Sequence, residues 1–208
     1  MLYTSSVEPG TFSLLNKLMQ LPSIQPFSLV GGTALALRFG HRSSVDLDLF
    51  SQKKFDHPPI IKDLTETFGN GFVYKHQHTT FGIFCFINEV KVDLMKFPHP
   101  LIRPVETIKS LRLYSNQDIA AMKIQAILGR GKKKDFWDLY ELLQHYSLQQ
   151  LMDWHREKYP SQMLAISIPH AITWFMDADE TEAPVSLKGQ TWEQVKKGIS
   201  KAVRDYLS

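Results

Sequence analysis

Three carboxylates are spaced for shared chemistry. Asp46 and Asp48 stand two apart in Val45-Asp46-Leu47-Asp48-Leu49-Phe50, where apolar and acidic residues alternate with period 2. On a strand, both acids project from one face while Val45, Leu47 and Leu49 project from the other. Neighbouring carboxylates repel unless a cation neutralises them, and Asp is depleted in strands. The plain alternative is an edge strand with a solvated face. Val90-Lys91-Val92-Asp93-Leu94-Met95 repeats the alternation, with Asp93 on the side of Lys91 and Met95. If its strand lies beside the first, Asp93 completes a trio of hard oxygen donors of the kind Mg2+ takes, with phosphate and water filling the octahedron. Convergence of the three within about 5 Å would separate a metal site from solvated acids.

A second constellation suits phosphate. Val30-Gly31-Gly32-Thr33 places two glycines between a strand and a helix. Glycine allows positive φ and close approach of backbone N–H groups, and the helix N-terminus and the Thr33 hydroxyl add to a triphosphate cradle. Thr33 precedes Asp46 by 13 positions, enough for one short helix and a turn. In that turn Arg42 is either an exposed residue or a phosphate partner, and His41 has no metal-spaced His partner. Lys123 lies on an apolar stripe of Ile119, Ala120, Ala126 and Ile127, so it either snorkels to water or reaches an anion. Gly129-Arg130-Gly131-Lys132-Lys133-Lys134-Asp135 is a basic turn, read as a solvated cap or as a seat for phosphate. Asp135 and Asp138 occupy the first turn of the next helix, where its dipole favours acids in any case.

The elements that position these groups follow from periodicity and breakers. Helices are expected over 11–21, 33–39 and 56–68, and strands over 27–30, 45–50, 71–75, 79–87 and 90–97, with Asn88-Glu89 as a tight turn. Pro98, Pro100 and Pro104 break regular structure. From Asn116 the chain reads helical, over 117–128, 132–146, 148–159, 162–175 and 191–207. The expected fold is α+β: a mixed sheet with helices over 1–110, followed by a helical bundle region over 111–208 that completes the cleft.

Composition agrees with one core-forming unit. The 208 residues are 43% hydrophobic and 22% charged, within globular norms. The nearly apolar run 81–87 is far shorter than the ~18 residues of a membrane helix, and Met1–Ser6 shows no signal-peptide pattern. A cytoplasmic protein is expected. The lone Cys85, between Phe84 and Phe86, reads as a small core residue. The net charge of +3 is even, +2 over 1–110 (11 basic, 9 acidic) and +1 over 111–208 (13 and 12). Any polyanion contact must therefore be local.

Together these residues resemble the AbiEii/AbiGii toxin family of nucleotidyltransferases, a branch of the DNA polymerase β-like superfamily. The likeness runs from about Phe27 to Leu143. It is carried by LVGGTALALRFGHRSSVDLDLF (Leu29–Phe50), Val92-Asp93-Leu94, DIAAMK (Asp118–Lys123) and KDFWDLY (Lys134–Tyr140).

The resemblance implies a nucleotidyltransferase fold, with Asp46 and Asp48 holding two Mg2+ ions (or Mn2+) and Asp93 sharing one. It also implies Gly31, Gly32 and Thr33 around the triphosphate and Lys123 on nucleotide phosphate; Arg42, read from its turn, joins them as an expected nucleotide-binding residue. Asp135 matches the acid of a fourth motif. The expected catalytic set is Asp46, Asp48, Asp93, Lys123 and Asp135. The expected reaction moves an NMP from an NTP to a hydroxyl acceptor such as tRNA, in a toxin opposed by a separate antitoxin. Alternatives are a small-molecule or protein acceptor, or a nucleotide-binding module without turnover.

Overall fold

A computed structural model describes residues 2–75, 80–129 and 131–208. Its order is α1 (Pro9–Gln20), β1 (Ser28–Leu29), α2 (Gly31–Phe39), β2 (Leu47–Ser51), α3 (His57–Phe68), β3 (Phe72–Tyr74), β4 (Gly82–Ile87) and β5 (Val90–Lys96). Then follow β6 (Glu106–Ile108), β7 (Leu111–Leu113), α4 (Asn116–Gly129), α5 (Lys133–Leu142), α6 (Leu148–Lys158), α7 (Ile168–Thr173), α8 (Met176–Asp179) and α9 (Trp192–Leu207). The strands form one sheet in the order β3-β4-β5-β2-β1-β7-β6. This mixed sheet with helices is the expected α+β class.

The sheet centre decides the register of the acids. β2 and β5 run parallel and pair Leu47 with Val92, Asp48 with Asp93 and Leu49 with Leu94. The four aliphatic side chains are wholly buried. A slip of one residue would exchange the buried and acid-bearing faces, so core burial fixes which carboxylates meet. Asn88 (φ 49°) and Glu89 (φ 66°) make the expected turn between β4 and β5, as the mirror-image turn of a two-residue hairpin requires. Cys85 is buried on β4, and burial pushes its thiol up to about 12, as a small core residue.

Three expectations shift. Val45 and Asp46 precede β2, and Val45 is 53% exposed, so it does not share the buried face of Leu47 and Leu49. The stretch after Pro104 holds the hairpin β6–β7, whose turn uses Lys109 (φ 48°) and Ser110 (φ 68°). β7 pairs with β1, so a division at 110/111 falls inside a hairpin of the main sheet, and one core runs through both parts. Finally, 162–175 is not one helix: α7 starts at Ile168, where Ser167 Oγ accepts from the His170 N–H at 3.3 Å and Pro169 stands in the first turn. The start of the strand expected over 79–87 falls partly outside the described residues, which include Thr80 but not Thr79.

A buried ion pair secures the proline-rich crossing. Lys158 Nζ meets Asp118 Oδ1 at 2.6 Å, both side chains fully buried. Asp118 also accepts from the backbone N–H groups of Ile102 and Arg103 and from Ser115 Oγ, while Lys158 donates to the Pro100 carbonyl. The fixed loop and α4, α6 are thus one unit. Among the described residues no helix is long and apolar enough to cross a membrane.

Candidate active site

The site lies where α2 begins against β2 and β5. Gly31 opens α2 with φ +71°, and a Cβ there would come within 2.7 Å of Asp48 Oδ2. The glycine therefore lets the helix start abut a carboxylate, a role beyond exposing its N–H. Asp48 and Asp93 are side by side on one sheet face. Burial pushes the Asp48 carboxyl up, and the charges of Asp93 and Asp46 add to this against Lys123 and Lys91. Asp93 is 8% exposed; Lys91 Nζ bonds its Oδ2, while its Oδ1 is buried and takes no hydrogen bond from the described residues.

Asp46 lies just before β2. Its carboxylate is 3.4 Å from Lys134 Nζ and partly exposed, and its carbonyl accepts from Thr33 Oγ1. Thr33 is buried and also shares a hydrogen bond with Ser44 Oγ at 2.8 Å, so its hydroxyl ties the 44–46 stretch to α2 instead of facing a cleft. Among the described residues no three His, Cys, Asp or Glu side chains stand close enough to form a ready metal cage. Of the expected trio, Asp48 and Asp93 are matched in register on paired strands, and Asp46, just before β2, is ion-paired with Lys134.

Behind the acids is a buried charge cluster. Asp138 Oδ1 accepts from Arg42 Nε at 2.7 Å, and Oδ2 from Arg42 Nη2 at 2.9 Å, a bidentate fork. His41 Nε2 is 2.8 Å from the same Oδ1. Lys123 Nζ lies 2.7 Å from Asp138 Oδ2 and 2.9 Å from Asp135 Oδ1. Burial pushes the Asp138 carboxyl up, but the Arg42 and Lys123 charges outweigh it and hold the carboxyl well below the usual range. Gly32 makes the room, since a Cβ there would sit 2.0 Å from Arg42 Nη2. Arg42 and Lys123, expected on phosphate, are both engaged here with carboxylates. Asp138 is the member that sequence reasoning left as a helix-dipole acid. Its spacing of three from Asp135 on one helical face was the available signal.

A cavity of about 430 Å3 opens beside Asp46, lined by Ser43, Ser44, Lys132, Lys134, Thr181 and Glu182 among others. Two members of the basic turn therefore line the cavity with Asp46; Arg130 lies outside the described residues. A larger hollow of about 890 Å3 lies across Ser43–Val45, lined by Ser5, Ser6, Glu8, Phe12 and Ser13, and has no basic lining residue. Phosphate chemistry favours the smaller cavity.

The acids fit a divalent cation. Two carboxylates in register, Asp93 with an oxygen that takes no hydrogen bond from the described residues and Asp48 pushed up by burial and by the Asp93 charge, are relieved by an oxygen-seeking metal.

Comparison with known proteins gives the lineage. The family model for the nucleotidyl transferase AbiEii toxin of type IV toxin–antitoxin systems matches residues 13–205. The chain belongs to this family. An uncharacterized protein of Aquifex aeolicus is 31% identical over 199 residues, covering 93% of this chain and 94% of its own. JHP933 from Helicobacter pylori has a similar structure, with TM-score 0.58 and 17% identity over 95% of this chain and 92% of that one. MenT4, a nucleotidyltransferase toxin from Mycobacterium tuberculosis, has TM-score 0.58 and 15% identity over 95% and 86%. At these identities the two structures show the shared fold, while the family match carries the nucleotidyltransferase assignment.

Proposed function

We propose that this member of the family transfers an NMP from an NTP to a hydroxyl acceptor in a metal-dependent reaction. The observation that carries it is the Asp48–Asp93 pair, set in register against the glycine start of α2, with Asp93 Oδ1 buried and unpartnered among the described residues. A bond forms between the acceptor oxygen and the α-phosphorus, the α–β bridging bond breaks, and pyrophosphate leaves. Asp46, Asp48 and Asp93 are the residues that would hold Mg2+ or Mn2+. Such ions, when bound, lower the pKa of the acceptor hydroxyl and neutralise charge on the leaving group. Asp93 is the base we assign to the hydroxyl proton. The N-terminus of α2 at Gly31 and Gly32 orients the triphosphate. Arg42, Lys123, Asp135 and Asp138 hold the floor of the site, tied by the Arg42 fork on Asp138 and the Lys123 bridge to Asp135.

The acceptor we favour is an RNA hydroxyl such as that of tRNA, because Lys132 and Lys134 line the cavity next to Asp46. Membership of a type IV family supports a cognate antitoxin as partner. The test is transfer of α-32P label from each of the four NTPs, with Mg2+ or Mn2+, into separate RNA, protein and small-molecule pools. Label in RNA, lost in Asp48→Ala, is the expected result. Label confined to protein or small molecules replaces the acceptor. Nucleotide binding without transfer or pyrophosphate release in any pool favours a non-catalytic module.

A further inference from the structure

Two lysines already occupy the acids that would take the metal. Lys91 Nζ bonds Asp93 Oδ2, and Lys134 Nζ stands 3.4 Å from Asp46 Oδ2. Both are partly exposed, at 46% and 41% of the side chain. They contrast with Arg42 and Lys123, whose side chains are only 4% and 7% exposed and locked on Asp138, with Lys123 also on Asp135. Removing a buried cation from its carboxylate partner leaves an uncompensated buried charge, so Arg42 and Lys123 are not free to follow a ligand. A half-exposed lysine is: it is a hydrated point charge on a flexible stem, and its surface ion pair holds by little.

We propose that Lys91 and Lys134 are exchangeable counter-ions, which hold Asp93 and Asp46 until a divalent cation takes the carboxylates, and that Lys134 then turns onto the phosphates of the nucleotide. The inference rests on the metal-dependent transferase reading and adds to it the residues that meet the nucleotide's charge. Lys134 is suited to that duty because it lines the cavity beside Asp46 together with Lys132, which gives two cations at one wall. Lys91 lies on β5 two residues before Asp93 and on its face, so it returns to Asp93 whenever the metal leaves. The swap spares the carboxylates their mutual repulsion before the metal binds, without building in a fixed cation that would exclude it.

The test is lysine acylation with an N-hydroxysuccinimide ester, read residue by residue by mass spectrometry on the whole protein. Samples contain no addition, saturating Mg2+, or Mg2+ with the four α,β-methylene nucleoside triphosphates. Binding of Mg2+ is followed in parallel by calorimetry, with Asp48→Asn as control. Mg2+ alone should raise labelling of Lys91 and Lys134 by up to about fivefold, the scale of one partly exposed ion pair. Lys62 on α3 and Lys201 on α9, exposed and paired with Glu66 and Asp205 instead, should not change. The nucleotide analogues should then protect Lys134 again and leave Lys91 reactive. If Mg2+ binds and the labelling of both lysines stays constant, the exchange is overturned while the transferase reading stands. If Mg2+ binds neither alone nor with the analogues, both are overturned.

Discussion

The substitution Asp138→Asn tests whether the buried cluster is held by its ion pairs. In the native protein Arg42 forks onto Asp138, and Lys123 bridges Asp138 and Asp135. Asparagine keeps the shape but removes one negative charge and puts an N–H2 donor where only acceptors fit. Arg42 and Lys123 then lose, away from water, the carboxylate charge they share. Breaking a buried pair in this way costs about 3–5 kcal/mol, a large part of the ~5–15 kcal/mol that holds a typical domain. For a chain of this length the melting temperature should fall by roughly 6–20 °C, measured by calorimetry at pH 7. Lys123→Met combined with Asp138→Asn removes one of the two cations that lost their partner and should be less damaging than Asp138→Asn alone. Acid adds a second reading. Asp138 has its folded pKa depressed, so its contribution is complete above the unfolded value of about 3.9 and is lost only as pH falls through the lower folded value. Asp138→Asn should lack that acid-dependent loss. A single variant within about 1 kcal/mol of wild type, or a double variant worse than the single, would refute that role of the ion pairs.

Gly31→Ala should cost about 1–2 kcal/mol from left-handed backbone alone, and also disturb Asp48, which a Cβ would approach to 2.7 Å. Gly131→Ala, at φ +51° but with contacts no closer than 3.6 Å, shares the strain and not the crowding, so only Gly31→Ala should lose Mg2+ affinity by calorimetry. Adding Mg2+ at 100 times its dissociation constant should stabilise the protein by about 2.7 kcal/mol, seen as a thermal shift that Asp48→Asn abolishes; an equal shift in both proteins places the ion elsewhere. His155 is buried at 2.9 Å from Gln125 Oε1, and burial lowers its pKa to about 4. Its unfolded value is about 6.5, so stability is full above that pH and declines as pH falls towards 4. Urea titrations across this range should show the decline, flattened in His155→Gln; an identical slope in the variant would assign it to other groups.

The parts of the site that depend on local pattern were legible. Period-2 alternation marked Asp48 and Asp93, which the sheet pairs, and the glycine pair marked the start of α2; Asp46, read on the same strand, precedes it. The partners of charged groups were not, because they are set by the fold over long separations. Arg42 finds Asp138, 96 positions away, and Lys134 finds Asp46, 88 away. A sequence shows such a cation as available when the structure has already engaged it. The same limit applies to the Asp48–Asp93 register, which is chosen by the burial of Leu47, Leu49, Val92 and Leu94 together. Among the elements, β6–β7 was hidden because the prolines before it suggested irregular chain, although Leu111-Arg112-Leu113 alternates. The false helix over 162–175 overlooked Ser167 and Pro169, ordinary marks of a new helix start.

Sheet pairing across a long separation has a consequence for biosynthesis. Asp48 meets Asp93 only after β5 has been made and aligned against β2, and Arg42 gains its carboxylate only after Asp138 has left the ribosome. A nascent chain that has exposed the glycine turn and the first two acids thus holds the fragments of a site and no site. Any activity of the mature protein is switched on late in translation by the same event that completes the core. A product truncated within α4 would carry the D-x-D sequence intact and still be inert.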